Sequence, residues 1–181
     1  GRGPTAIVEL EMGFSGTLHL WTRSELDLFL RVEDTDDGRM LAEDDDSGGG
    51  NVPYVRRTVE KGAHLAVLIA SSGADALGLL ELHVVAAPET EATLEAARRA
   101  TEGLAEARRL QEEGDPDAAR NRIAALVSEL LSTPGSGESE AVAQACWELG
   151  VPASEAGDLA SSRAAWAAAR DHRERTLPPG R

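Results

Sequence analysis

One cysteine, one lysine and only six aromatic residues (three Trp, two Phe, one Tyr) occur among 181, and each scarcity excludes something. Cys146 stands alone, so no intrachain disulfide can form. That points to a reducing compartment, and the cytoplasm is the expected location; exported bacterial proteins without disulfides keep export as the alternative. No apolar run approaches the roughly 20 residues a membrane helix needs, so membrane insertion is not expected. With so few aromatics, the cores must be filled by Leu, Val, Ile and Ala. Bases are also short: 18 against 32 acids, for a net charge of −14. A phosphate backbone needs clustered Lys and Arg, so nucleic acid is excluded as an expected partner. A basic or neutral protein or peptide partner, another domain of the same polypeptide, or a divalent cation suits this field better. The opening Gly1-Arg2-Gly3-Pro4 has neither an initiator Met nor a signal-peptide pattern, and reads as a segment of something longer.

What is present changes rhythm along the chain. In the first half apolar residues alternate, the pattern of strands with one buried face. Leu26, Leu28, Leu30 and Val32 fall on one side, with Asp27, Phe29 and Arg31 on the other; Leu65, Val67 and Ile69 repeat the pattern, as do Leu80, Leu82 and Val84. Leu18 and Leu20 oppose His19 and Trp21. Turn-rich stretches at 34–38, 44–51 and 71–75 separate the runs. About seven short strands over residues 5–86 predict an antiparallel β-sandwich. At Ala86-Ala87-Pro88-Glu89 the spacing becomes helical. Ala119, Ile123, Leu126 and Leu130 form one stripe, and Leu94, Ala97, Thr101 and Leu104 another. Four helices are expected near 90–113, 116–132, 138–149 and 155–175, joined by short breaks and therefore antiparallel. The fold class is thus multidomain, β then α, with domains at 1–87 and 88–181.

The helical half repeats itself. Gly114-Asp115 precedes Ala119, Ile123 and Leu126, and 43 residues later Gly157-Asp158 precedes Ser162, Trp166 and Ala169. Cys146-Trp147-Glu148-Leu149-Gly150 comes before the second copy and Leu177-Pro178-Pro179 after it. Leu149, Gly150, Gly157, Asp158, Ser162, Trp166, Ala169 and Pro178 together resemble the tetratricopeptide repeat, in a variant longer than its usual length of about 34 residues. The resemblance implies a first helix that ends at Leu149-Gly150 and a second that starts after Gly157-Asp158. It also implies an aromatic, Trp166, that plugs the groove between them. Two such hairpins are short of the three or so that stack stably alone, so the array is expected to continue beyond Arg181 or to lean on the sandwich. A generic Ala-rich bundle is the plain alternative.

Residues 16–85 resemble the bacterial pre-peptidase C-terminal domain, a β-sandwich often appended to peptidases. Asp27-Leu28-Phe29-Leu30 is similar to that family's Asp-Leu-Tyr-Leu strand, and Gly38-Arg39-Met40-Leu41-Ala42-Glu43-Asp44-Asp45 to its hairpin and acidic loop. Lys61-Gly62-Ala63-His64 and Gly78-Leu79-Leu80-Glu81-Leu82-His83-Val84 match two further strands, each without the family's aromatic. A sandwich followed by such repeats resembles multidomain bacterial proteins, some of which end in a caspase-like CHAT peptidase domain.

Reactive chemistry is harder to assemble. His19, His64, His83 and His172 are the available bases; the first three fall at solvent-facing strand positions, and His172 lies beside Arg173 and Arg175. Cys146 is mid-helix, where a core residue is expected, and no Gly-x-Ser-x-Gly elbow occurs. No catalytic residue is therefore assigned. Ser47-Gly48-Gly49-Gly50-Asn51 lacks the Lys-Ser/Thr of a phosphate loop and follows three aspartates. Oxygen donors are dense at Asp34, Asp36, Asp37 and Glu43 to Asp46, hard ligands of the kind calcium takes. Asp27, Asp44, Asp45 and Asp46 form the candidate set, although an EF-hand fails because Arg39 stands where its glycine is required. A solvated acidic loop explains the same residues.

The expected function is a non-catalytic interaction or scaffold segment of a larger bacterial protein, in which the concave face of the helical pairs holds a peptide or another domain. Arg98, Arg99, Arg108, Arg109 and Arg120 on that half suit an acidic strip. The alternatives are a regulatory fragment of a CHAT-type peptidase whose catalytic domain is absent here, and a calcium-stabilised exported accessory domain.

Overall fold

The computed structural model describes residues 5–71, 73 and 78–178, and among them holds seven strands followed by four helices. The strands are β1 (Thr5–Glu11), β2 (Gly16–Arg23), β3 (Leu28–Asp34), β4 (Met40–Asp44), β5 (Tyr54–Val59), β6 (His64–Ser71) and β7 (Glu81–Pro88). They form two antiparallel sheets, ordered β1-β6-β3-β4 and β5-β2-β7. Alternation sets the register. Leu30 lies opposite Ile69 and Val32 opposite Val67, so β3 and β6 present one continuous apolar face while Phe29 and Arg31 stay half-buried on the other. One core collects that face together with Leu18 and Leu20 of β2 and Val55 and Val59 of β5, so both sheets contribute to it.

Two expectations for the strands fail. His19 is buried at 2% exposure, not solvent-facing, because every residue of β2 from Gly16 to Thr22 is buried and both faces of the strand are covered. Val84 is 43% exposed, so the inward run of Leu80 and Leu82 stops there. The expected turn at 71–75 falls largely outside the described residues.

The helices are α1 (Glu91–Glu112), α2 (Pro116–Ser132), α3 (Glu140–Glu155) and α4 (Leu159–Thr176). Starts are written locally. Thr90 caps α1 by accepting from the Thr93 N–H at 3.1 Å while the Thr93 hydroxyl accepts from the Thr90 N–H, a reciprocal box. Asp115 caps α2, with Pro116 at its first position, and Ser139 caps α3.

Two helical expectations also fail. The α3 helix does not end at Leu149-Gly150; both are buried within it, and it runs through Pro152 to Glu155. Pro152 withholds the N–H that would bond to the Glu148 carbonyl. It lies in the last turn, however, where the bonds that close the helix come from beyond it. In α1 the buried stripe is Thr93, Ala96, Ala100, Gly103 and Ala107, joined by Leu104, while Leu94 and Thr101 are exposed. The helix buries its small residues because its neighbour comes too close for large ones. A Cβ on Gly103 would lie 2.7 Å from Leu126 Cδ2 of α2. Ala96, Ala100, Ile123, Leu126, Leu130, Val142, Cys146, Leu149 and Ala169 belong to a second core, drawn from all four helices.

The chain divides into two compact units, residues 1–87 with 174–181, and residues 88–173.

Candidate interaction groove

The two hairpins turn on one device. At the end of α1 the N–H groups of Glu113, Gly114 and Asp115 bond to the carbonyls of Arg109, Gln111 and Leu110 at 2.9, 3.2 and 2.9 Å. At the end of α3, residues 43 positions later make the same three bonds: Ala156 to Pro152, Gly157 to Ser154 and Asp158 to Ala153, at 3.0, 3.0 and 2.9 Å. Gly114 and Gly157 have φ of +85° and +78°, the left-handed conformation this helix stop requires and glycine alone adopts without strain. The aspartate that follows then starts the next helix. Asp115 accepts from the Ala118 N–H and Asp158 from the Ser161 N–H, both at 3.0 Å. Those bonds to Ser161 hold the Asp158 carboxyl below the ordinary aspartate value.

A residue that sequence reasoning missed ties the hairpins together. The Glu89 carboxylate accepts from the Thr93 hydroxyl at 2.9 Å in the first turn of α1. It also accepts from the Ser139 hydroxyl at 2.6 Å and the Ala141 N–H at 2.9 Å at the start of α3. One carboxylate thus serves the positive ends of two helices. The only signal in the sequence was its place directly after Pro88, where the hydrophobic rhythm changes.

Between α1 and α3 lies an open groove of about 430 Å³, lined by Thr101, Leu104, Ala105 and Arg108 on one wall and Trp147, Glu148 and Val151 on the other. Trp147 and Val151, one turn apart, are 53% and 52% exposed. The Arg173 guanidinium lies 5.9 Å from the centroid of the Trp147 ring, within cation–π range. The other tryptophan of the repeat, Trp166, packs its indole on Gly150 so closely that a Cβ there would clash with the Nε1 edge of the ring. The Ser162 hydroxyl bonds to the Gly150 carbonyl at 2.9 Å alongside.

The arginines expected to form a basic strip are mostly neutralised at home. Arg98 pairs with Glu95 and Glu102, Arg99 with Glu129 at 2.7 Å, Arg109 with Glu113 at 3.0 Å and Arg120 with Asp117 at 2.6 Å. Of the five, Arg108 has no ion-pair partner among the described residues.

The acidic set is drawn together in part. Asp45, then Asp44 and Asp27, push the Asp46 carboxyl above its ordinary value, so the four share one field. Asp44 Oδ2, however, already accepts from the Ser47 and Tyr54 N–H groups at 2.9 and 2.8 Å, where it staples the loop between β4 and β5.

The candidate bases and nucleophile differ in their surroundings. His19 Nδ1 lies 2.7 Å from the Tyr54 hydroxyl, His64 is exposed, His83 stacks on Trp21 with ring centroids 5.0 Å apart, and His172 is buried. Cys146 is fully buried and burial pushes its thiol up to about 11, which leaves it protonated and a poor nucleophile at neutral pH. A second hollow, of about 460 Å³, lies beside Arg23, Ser24, Glu25, Leu26 and Glu81 and offers no aromatic wall. Among the described residues, no helix is long and apolar enough to cross a membrane.

No protein-family model, curated protein or solved structure matches the chain.

Proposed function

We propose that this chain is a non-catalytic interaction segment of a larger bacterial protein, in which a β-sandwich of the pre-peptidase C-terminal kind precedes two tetratricopeptide-like hairpins. The reading is supported by the atom-for-atom repetition of the Gly-Asp junction and by one core shared between two antiparallel sheets. It is carried by the α1–α3 groove. A tryptophan and a valine a turn apart, half-exposed over an apolar floor, leave apolar surface in water that a partner would cover. Its walls are two helices whose starts are fixed by Glu89, so the groove is formed before anything enters it.

Amide and indole NMR signals of the full chain, followed during titration with a peptide library, test this. Shifts concentrated at Thr101, Ala105, Arg108, Trp147 and Val151 are expected. Binding that maps elsewhere, or peptide turnover abolished by substituting a buried histidine, removes the reading.

A second reading is calcium stabilisation of the acidic loop, favoured by the gathering of Asp45, Asp44 and Asp27 around Asp46, whose carboxyl they push up. A bound ion raises the melting temperature by mass action; superimposable melting curves in calcium and in chelator dispose of it.

A further inference from the structure

We infer that the α1–α3 groove takes a segment that combines an apolar anchor with a carboxylate, in preference to a basic or a purely apolar one. This rests on the groove reading above and adds the chemistry of the occupant.

In a protein of net charge −14, the arginines of α1 and α2 are spent on neighbouring glutamates and aspartates, yet Arg108, on the groove wall, is not. Arg173, on α4, lies over the Trp147 ring; it too lacks an ion-pair partner among the described residues. The one acid on the lining, Glu148, accepts from Gln144 at 2.8 Å along its own helix. Two uncommitted guanidiniums therefore flank exposed apolar surface. A carboxylate beside a buried leucine or phenylalanine satisfies both features at once, since a guanidinium binds a carboxylate bidentately. A lysine there would meet two like charges. A purely apolar segment would partly desolvate the guanidiniums and give them no counter-charge.

The test uses the full chain and three fluorescein-labelled decapeptides that share two leucines four residues apart. Their remaining positions are rich in glutamate, in glutamine or in lysine. Anisotropy titrations should show the glutamate peptide binding tightest and weakening as salt is raised. Arg108→Glu should weaken it about tenfold, and Arg108→Gln about threefold, by loss of an exposed ion pair. Trp147→Ala should weaken it about thirtyfold as an anchor of the hot-spot type. Both positions are exposed, and unchanged melting curves confirm that the variants fold.

Equal affinity for the glutamate and glutamine peptides, lost on Trp147→Ala, overturns the charge preference and leaves the groove in place. Tighter binding of the lysine peptide reverses it. Failure of all three peptides removes both the preference and the groove. Self-association without peptide, abolished by Trp147→Ala, assigns the surface to a second copy of this chain and overturns the inference.

Discussion

The hairpins α1–α2 and α3–α4 share a backbone and differ in filling. Their junctions superpose bond for bond across 43 residues, because a helix stop followed at once by a helix start admits few sequences other than Gly-Asp. Between the helices the same offset pairs unlike side chains. Gly103 and Leu126 in the first hairpin correspond to Cys146 and Ala169 in the second; Ala107 and Ile123 correspond to Gly150 and Trp166. Bulk sits at one level in the first hairpin and at the other level in the second. Close packing constrains the summed volume at each level, not which helix supplies it, so a repeat can hold its backbone while its side chains drift.

The largest effect should come from the one group that serves both hairpins. Glu89→Ala strips acceptors from Thr93, Ser139 and Ala141. It should lower stability by about 3 kcal/mol, the order of charge-assisted bonds lost at part-buried donors. Chemical denaturation reads the loss, and Glu89→Gln should recover a good part of it. Two separated transitions in the Ala variant would show the hairpins to be independent units, held together chiefly by that carboxylate.

Next come the close approaches. Gly150→Ala drives a methyl into the Trp166 indole and should cost about 2 kcal/mol, the scale of overpacking. Gly103→Ala meets only the flexible ends of Leu126 and Arg122. It should stay within about 1 kcal/mol of neutral, helped by alanine's helix propensity. Calorimetry that ranks the two the other way would break the account of how each hairpin is filled. Trp166→Ala should relieve most of the Gly150→Ala penalty, as expected for residues in contact.

The caps test the sameness instead. Asp115→Ala and Asp158→Ala should each cost about 1 kcal/mol, equal within error near neutral pH. For Asp158 the native carboxyl lies below the ordinary value of 3.8. Its contribution is therefore in place above that value and lost as pH falls through the lower native one. Denaturation curves from pH 6 down to pH 2 should show the Asp158→Ala penalty shrink at the acid end.

The smallest effect concerns Cys146, the counterpart of Gly103. Fully buried and shifted to about 11, its thiol should resist aromatic disulfide reagents at pH 8 in the native chain and react at once in denaturant. Rapid native labelling would mean that α3 opens far more readily than α1.

Much of this was legible in advance, and the failures are informative. The period-two runs of β3 and β6 and the Gly-Asp pairs are local signals, set by pleat and dihedral preference, and they read correctly. His19 read as exposed because alternation alone does not reveal whether a strand's second face is covered. The α1 stripe was read from its large residues, Leu94 and Leu104, whereas the buried stripe follows Ala96, Ala100 and Gly103; hydrophobicity ranks leucine above alanine, but helix approach distance prefers the reverse. Of the acidic loop, the clustering was visible and the use of Asp44 as a backbone acceptor was not, since its donors lie up to ten residues away.

By itself the sequence determined that one half is strand and the other helix, and where α1 and α2 begin and end; α3 overran its expected end, and α4 starts at Leu159, not near 155. Those properties depend on dihedral preferences, caps and periodicity within a few residues. Only the tertiary structure decided which arginines keep an unpaired charge, which helix face admits its neighbour, and that Glu89 ties the start of α1 to Ser139, 50 residues further along. Each of these depends on distances between segments remote in the chain, and no local preference encodes them.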